Sequence, residues 1–439
     1  MKKMKAVMIS ALSSNAGKTT VSALLLNALK KKGLDFCGIK TGPDQIDREI
    51  LSQASGKPAG NVDKFLMTQE GMKVSLGLME SEYAIIEGVM GCFDGIGTSS
   101  KNSSFEIAQD LNVDIVLVHS PEGEMFSIIP KLKGFLDFSE NRIKAIILNK
   151  TNPELYKTYK KMIEENLPIK VLGFLPKTQN LSINEDYLGL DTKKNCTQDE
   201  AFKSICKNID MYIDVEKFIS LFKTVLTKNL ANLKRTKTKV AIAKDECVNL
   251  YYSENISILE KYAQVKYFSP LHDKYVPDCD FLYLGGTQIK SFANELSQNK
   301  SMRDSIKEIA EAGIYILAEG ESLCYLCESF DNIPMCGIFS NKAKSTERLH
   351  NFGYKILKLQ TDTILGKKGT ILYAAEYHKS KVSPSEINLF DVTKASTKKN
   401  YSDGYIYKNT IAFFQNINFA SCVKTIYSSL LSIQQTLQK

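Results

Sequence analysis

The chain has 439 residues, 43% of them hydrophobic and 24% charged, with 57 Lys+Arg against 49 Asp+Glu for a net charge of +8. That length exceeds one ordinary core and fits two domains, and no apolar stretch is long enough to span a bilayer. The basic residues are scattered, with no concentrated basic helix and no aromatic–basic interleaving, so the balance makes no case for nucleic acid while tolerating an anionic ligand such as ATP or a polycarboxylate.

The first residues begin like a signal n-region, but the apolar part breaks at Ser13-Ser14-Asn15. Residues 5–10 therefore read as a first β-strand, and the expected compartment is the cytoplasm. The ten cysteines are scattered through apolar runs and are expected as thiols. The one close pair, Cys324 and Cys327, lacks a second ligand pair at suitable spacing, so helix packing is the better reading.

Between the first strand and an amphipathic helix over 19–32 lies Ser10-Ala11-Leu12-Ser13-Ser14-Asn15-Ala16-Gly17-Lys18-Thr19-Thr20. Strand, loop and helix in that order form the setting in which backbone N–H groups cradle phosphate. Ser14, Asn15, Ala16, Gly17, Lys18, Thr19 and Thr20 are the expected nucleotide contacts. Gly17 allows close approach, Lys18 reaches the terminal phosphates, and the Thr19 hydroxyl can ligate Mg²⁺. The leading glycine of the strict pattern is absent, and Ala11 stands in front.

Further strands are expected at 36–39, 83–87, 114–119, 145–149 and 171–174. Short β-branched runs separated by helices indicate a parallel sheet buried on both faces. Two acidic motifs follow strands: Lys40-Thr41-Gly42-Pro43-Asp44-Gln45-Ile46-Asp47 and Glu87-Gly88-Val89-Met90-Gly91-Cys92-Phe93-Asp94-Gly95. At the carboxyl ends of strands such residues line the ligand crevice. Carboxylates there, Asp47 and Glu87 with Thr19, can hold Mg²⁺ bridging phosphates, and Lys40 can neutralise charge on a transferred phosphoryl group. Lys40, Asp44, Asp47 and Glu87 are the candidate catalytic residues. Asn149, at a later strand end, is a candidate reader of the adenine edge.

A helical stretch is expected over about 197–233, then a basic linker at 234–239. Strands resume at 240–243, 265–268, 281–284 and 314–317, which marks a second α/β unit with the boundary near residue 235. The Lys-, Ser- and Asn-rich stretch 393–403 reads as a surface loop.

On these motifs the chain resembles the cobyrinate a,c-diamide synthases. The phosphate loop is similar to the variant of dethiobiotin-synthetase-like ligases. Lys40 to Asp47, Glu87 to Gly95 and Asn61-Val62-Asp63 resemble family motifs, and the second half continues the likeness through Leu284-Gly285-Gly286 and Ala318-Glu319. The resemblance implies an α/β protein. A P-loop NTPase-like, parallel-sheet synthetase domain (1–195) and a helical connector (196–238) would precede a domain similar to class I glutamine amidotransferases (239–439). It implies that ATP and Mg²⁺ activate peripheral carboxylates of a corrin or related tetrapyrrole as acyl phosphates, which ammonia converts to amides. It is compatible with a homodimer.

Departures from the family pattern are concentrated. Gly320 stands where the family has a nucleophilic Cys, and Asn416 and Asn418 stand where it has a His-Leu-His-Phe segment, so nucleophile and base are both missing. Ammonia would then come free or from a separate glutaminase. At the expected substrate positions, Gln45 replaces a Tyr, and Asp186 and Tyr187 replace an Arg-His pair; Asp94 completes that set. Losing Arg and His while gaining Asp weakens recognition of a polycarboxylate. Two alternatives stay open: a ligase acting on another carboxylic acid, and a non-catalytic nucleotide-binding regulatory relative.

Overall fold

The computed structural model describes residues 2–177, 200–384 and 388–436. They divide into two units, one of residues 1–64 and 68–230, the other of 65–67 and 231–439. No helix among the described residues is long and apolar enough to cross a membrane.

In the first unit, β1 (Lys2–Ala11), β2 (Phe36–Thr41), β3 (Gly60–Val62), β4 (Tyr83–Glu87), β5 (Ile115–His119), β6 (Ile143–Leu148) and β7 (Lys170–Phe174) form a parallel sheet in the order β3-β2-β4-β1-β5-β6-β7. The helices α1 (Lys18–Lys31), α2 (Ile46–Ser55) and α3 (Gln69–Leu78) make the first crossovers. Strands β2 and β5 are buried at every position, as a sheet covered on both faces requires. From the central β1 the chain moves outward to β2 and β3, then returns to insert β4 beside β1 before turning to the other side. Such a reversal leaves a crevice at the strand carboxyl ends, and it brings the ends of β1, β2 and β4 together.

Three sequence expectations change here. The stretch 200–227 completes the first unit instead of forming a connector. Its helix Glu200–Lys207 buries Phe202, Ile205 and Cys206, and the Cys206 thiol lies 3.6 Å from the Leu24 carbonyl of α1. Lys223–Thr227 is not helical but a strand, β8, antiparallel to β1. Its β-branched Thr224, Val225 and Thr227 favour a strand, and Val225 and Thr227 are buried at a spacing of two. The basic stretch 234–239 is laid down on the second unit: Thr236 Oγ1 donates to Tyr262 O and Thr238 Oγ1 to Leu430 O, at 2.8 and 2.7 Å.

The second unit has a six-stranded sheet in the order Gln264–Phe268, Lys239–Ala243, Phe281–Leu284, Tyr315–Glu319, Thr410–Phe413, Tyr405–Tyr407, parallel except for the last strand. A further mixed sheet contains the long hairpin Phe339–Leu359 and Ile371–Val382. The expected loop at 393–403 lies in this sheet as a hairpin of Phe390–Lys394 and Asn400–Asp403, with Thr393 opposite Asn400. Buried Phe390 and Val392 flank exposed Asp391 and anchor it, while Lys398 and Lys399 fall in the connection between the strands.

Candidate active site

Helix α1 opens at Gly17, whose φ of +86° is the left-handed conformation open to glycine. Ser14 and Asn15 form an exposed rim, whereas Ala16 to Thr20 are buried. Asn149, just past β6, closes on the loop from the side: its Nδ2 donates to Ala16 O at 2.9 Å, and its Oδ1 accepts from Lys150 N at 2.9 Å. One N–H of the amide expected to read an adenine edge thus braces the phosphate loop. A Cβ at Gly17 would stand 2.1 Å from Asn149 Nδ2. Gly17→Ala combines that clash with a left-handed backbone costing about 1–2 kcal/mol. It is expected to weaken nucleotide binding at least about tenfold in a fluorescent-nucleotide titration; unchanged affinity would remove this loop as the phosphate site.

The two acidic motifs meet because β2 and β4 are neighbours in register, with Lys40 opposite Glu87. Lys40 Nζ lies 2.6 Å from Glu87 Oε1 and 2.7 Å from Asp47 Oδ2. Thr19 Oγ1 donates to the same Glu87 oxygen at 2.6 Å. Thr19, Glu87, Lys40 and Asp47 therefore form one continuous chain from the phosphate loop to α2. Asp44 joins through backbone, its Oδ1 accepting from Ile46 N at 2.8 Å and Asp47 N at 3.0 Å. Glu87 Oε2 is buried and accepts no hydrogen bond from the described residues.

Charge follows this packing. Burial alone would strip the proton from Lys40, but Asp47, Glu87 and Asp44 outweigh it and hold the ammonium charged. Burial and the nearby Asp47 push Asp44 up to about 6. Burial raises Glu87 against the pull of Lys40, whereas at Asp47 the lysine wins over burial and the carboxyl is lowered. Lys40 is a fixed cation here, not a base.

The remaining expected positions separate from this chain. Asp94 is exposed and accepts from Gly91 N at 2.9 Å, capping its own turn. Gln45 precedes α2 and makes no side-chain cap bond there. Asp186 and Tyr187 lie outside the described residues.

In the second unit the turn after Tyr315–Glu319 is sharp and carries Gly320. Gly320 has φ +62°, and a Cβ there would stand 3.1 Å from Gly286 Cα and 3.6 Å from Asn416 Oδ1. The positions of the missing nucleophile and base are thus adjacent in space. Asn418 is different: its Oδ1 accepts from Ala420 N at 2.9 Å, so it caps a turn. Glu319, pushed up to about 7 by burial, accepts from Tyr283 OH at 2.6 Å and Ile417 N at 2.9 Å. Ser322 Oγ donates to Gly285 O. Cys324 is wholly buried, and burial holds its thiol well above the ordinary range. His378 stacks on Phe414 at 3.7 Å, with its ring nitrogens 2.8 Å from Ser380 O and 3.0 Å from Glu376 Oε1. None of these groups offers a free nucleophile–base pair.

Residues 7–187 match the model of the CobQ/CobB/MinD/ParA nucleotide binding domain, and residues 239–420 match that of the CobB/CobQ-like glutamine amidotransferase domain. The cobyrinate a,c-diamide synthase of Clostridium tetani is 37% identical over 437 residues, covering 97% of this chain and 100% of that one. That of Clostridium acetobutylicum is 36% identical, covering 95% and 97%. That of Listeria innocua is 34% identical, covering 95% and 96%. The chain belongs to the cobyrinate a,c-diamide synthase family. It is a member in which the synthetase chain of Thr19, Glu87, Lys40 and Asp47 is assembled while the amidotransferase elbow carries Gly320.

Sequence reasoning singled out the acidic cluster but gave Asn61 and Thr41 no role. Asn61 Nδ2 donates to the carbonyls of Gly42 and Asp44, and Thr41 Oγ1 accepts from Val89 N at 2.8 Å, tying the two motif loops together. Such side chains contact backbone and leave no spacing signal; only the Asn61-Val62-Asp63 likeness pointed near them.

Proposed function

We propose that the chain uses ATP to convert peripheral carboxylates of cobyrinic acid, the a and c groups, into amides with ammonia in place of glutamine hydrolysed by its own second unit. A carboxylate oxygen attacks the γ-phosphorus and ADP departs, leaving an acyl phosphate. Ammonia then adds to the carbonyl carbon, inorganic phosphate leaves, and nitrogen loses a proton. Lys18 and Lys40 oppose the charge on the transferring phosphoryl group, and Asp44, Asp47 and Glu87 hold Lys40 in place. The observation that carries this reading is the unbroken Thr19–Glu87–Lys40–Asp47 chain at the phosphate loop.

Thr19, Asp47 and Glu87 would hold Mg²⁺, which would neutralise the phosphate oxygens. The donor set fits: Glu87 Oε2 is buried without a bond from the described residues. Mg²⁺ commonly takes one or two carboxylates together with substrate phosphates, not an all-protein cage.

Mass spectrometry of cobyrinic acid incubated with the protein, Mg-ATP and either ammonium or glutamine tests this. One or two amides with ammonium, and none with glutamine, are expected. Product with glutamine alone would overturn the nitrogen source. No product with either, alongside measured ATP binding, would overturn this reading in favour of another carboxylic acid or of a non-catalytic nucleotide-binding role.

A further inference from the structure

The turn joining β2 to α2 carries the candidate acids, yet β2 ends at Thr41 and α2 begins only at Ile46. Gly42 in that turn has φ +81°, so the backbone reverses sharply as it leaves the sheet. A turn of this kind aimed into a crevice has no strand ladder to fix it. Its fastening comes instead from β3, where Asn61 lies opposite Lys40 in register. Asn61 is wholly buried, and its Nδ2 donates to Gly42 O and to Asp44 O, each at 3.0 Å. A side-chain amide nitrogen has two hydrogens, and both are spent on the turn. Gly42 N adds a third tie, to Val62 O at 3.0 Å. Asn61 is itself held, since its carbonyl accepts from Ser75 Oγ of α3 at 2.6 Å.

The connection continues to the reacting end. Asp44, whose carbonyl Asn61 grips, accepts from the N–H groups of Ile46 and Asp47 with its side chain, which sets the start of α2. Asp47 then meets Lys40 at 2.7 Å. We propose that Asn61 is the positioning residue of the synthetase site, holding the 42–47 turn so that Asp44 and Asp47 keep Lys40 aimed at the phosphates. It touches no reacting atom. Its contribution is geometric, and a displacement of about 1 Å at a reacting site can cost about a hundredfold in rate.

Two variants test this. Asn61→Asp keeps the shape but turns a carboxylate on two carbonyl oxygens; Asn61→Ala removes the grip without adding repulsion. Amide hydrogen exchange of residues 42–47 is measured in both, together with nucleotide affinity, kcat with ammonium, and thermal unfolding. The expected result is exchange at Ile46 and Asp47 faster by about tenfold or more, with the rest of the sheet unchanged. In Asn61→Asp, kcat should fall by about a hundredfold while nucleotide affinity stays within about threefold, and Asn61→Ala should fall between it and the native chain. Unchanged exchange in the turn would overturn the proposal whatever the rate does, and so would faster exchange spread over the whole unit, which would mark a residue of general stability. The rate arm rests on the ligase reading and the exchange arm does not. A native protein that makes no amide while its turn loosens locally in both variants would sink the ligase reading and leave the positioning role standing.

Discussion

Replacing Lys40 with methionine is expected to lower ATP-dependent amide formation by about a thousandfold and to cost about 3 kcal/mol of folding stability at neutral pH. The lysine side chain is 3% exposed and Glu87 is fully buried. Methionine fills similar space but leaves Glu87 and Asp47 facing each other without their cation. Removing one partner of a buried ion pair is far more damaging than never having built the pair, because the surviving charges stay desolvated.

The pH dependence gives the check. In the native chain burial already raises Glu87, and Lys40, helped by the Asp44 hydrogen bond and by Lys18, keeps Asp47 low. Without Lys40 both folded-state values rise, Glu87 further above its unfolded value and Asp47 out of its lowered position, so the folded form of the variant binds more protons at intermediate pH than the native one. Stability is then retained below the ordinary carboxylate range and lost as pH rises through the raised values. Denaturant titrations of Lys40→Met and the native chain should therefore nearly coincide near pH 4 and diverge at pH 7 to 8. A deficit that grows on acidification, or none at pH 8, would mean that Lys40 does not compensate these carboxylates.

How much of this was legible beforehand depends on whether the signal is local. The strands β1, β2, β4, β5, β6 and β7 announce themselves as apolar, β-branched runs, because a strand covered on both faces has no polar alternation to hide it. Gly60–Val62 is too short to register, and it matters because it presents Asn61. Lys223–Thr227 disappears into a helical stretch because its neighbours in sequence are helical; its partner β1 is over two hundred residues away. The strand Phe339–Leu359 is rich in Lys, Asn and Ser and mixes buried, half-buried and exposed positions irregularly, so its period of two is faint. At the site, the phosphate loop and both acidic motifs were readable from fixed spacing after strands. That Asn149 grips Ala16 and Asn61 grips Gly42 was not, since a side chain bonding to backbone constrains its distant partner's shape and not its identity.

The amidotransferase elbow offers the opposite test, of gaining chemistry. The double variant Gly320→Cys with Asn416→His is expected to release glutamate from glutamine at least about a hundredfold above the native chain, with each single variant near background. A Cβ at 320 stands 3.6 Å from Asn416 Oδ1, so a thiol and an imidazole placed there come within hydrogen-bond reach. The strain is bearable: a cysteine at φ +62° costs about 1–2 kcal/mol, and Gly286 must give by a few tenths of an ångström. The turn also keeps its supports, Ser322 Oγ on Gly285 O and Glu319 on Ile417 N. Asn418 faces Glu254 and Ala420 N, so Asn418→His in place of Asn416→His should add nothing. Glutamate release is read by a coupled dehydrogenase assay, and alkylation of the introduced thiol by iodoacetamide reports the thiolate independently of turnover. Imidazole pairing should lower the pH midpoint of alkylation in the double variant relative to Gly320→Cys alone. Equal midpoints would place the base elsewhere than 416. Glutamate from the native chain would show that a residue other than 320 attacks the amide, against the burial of Cys324 and the bonded hydroxyl of Ser322.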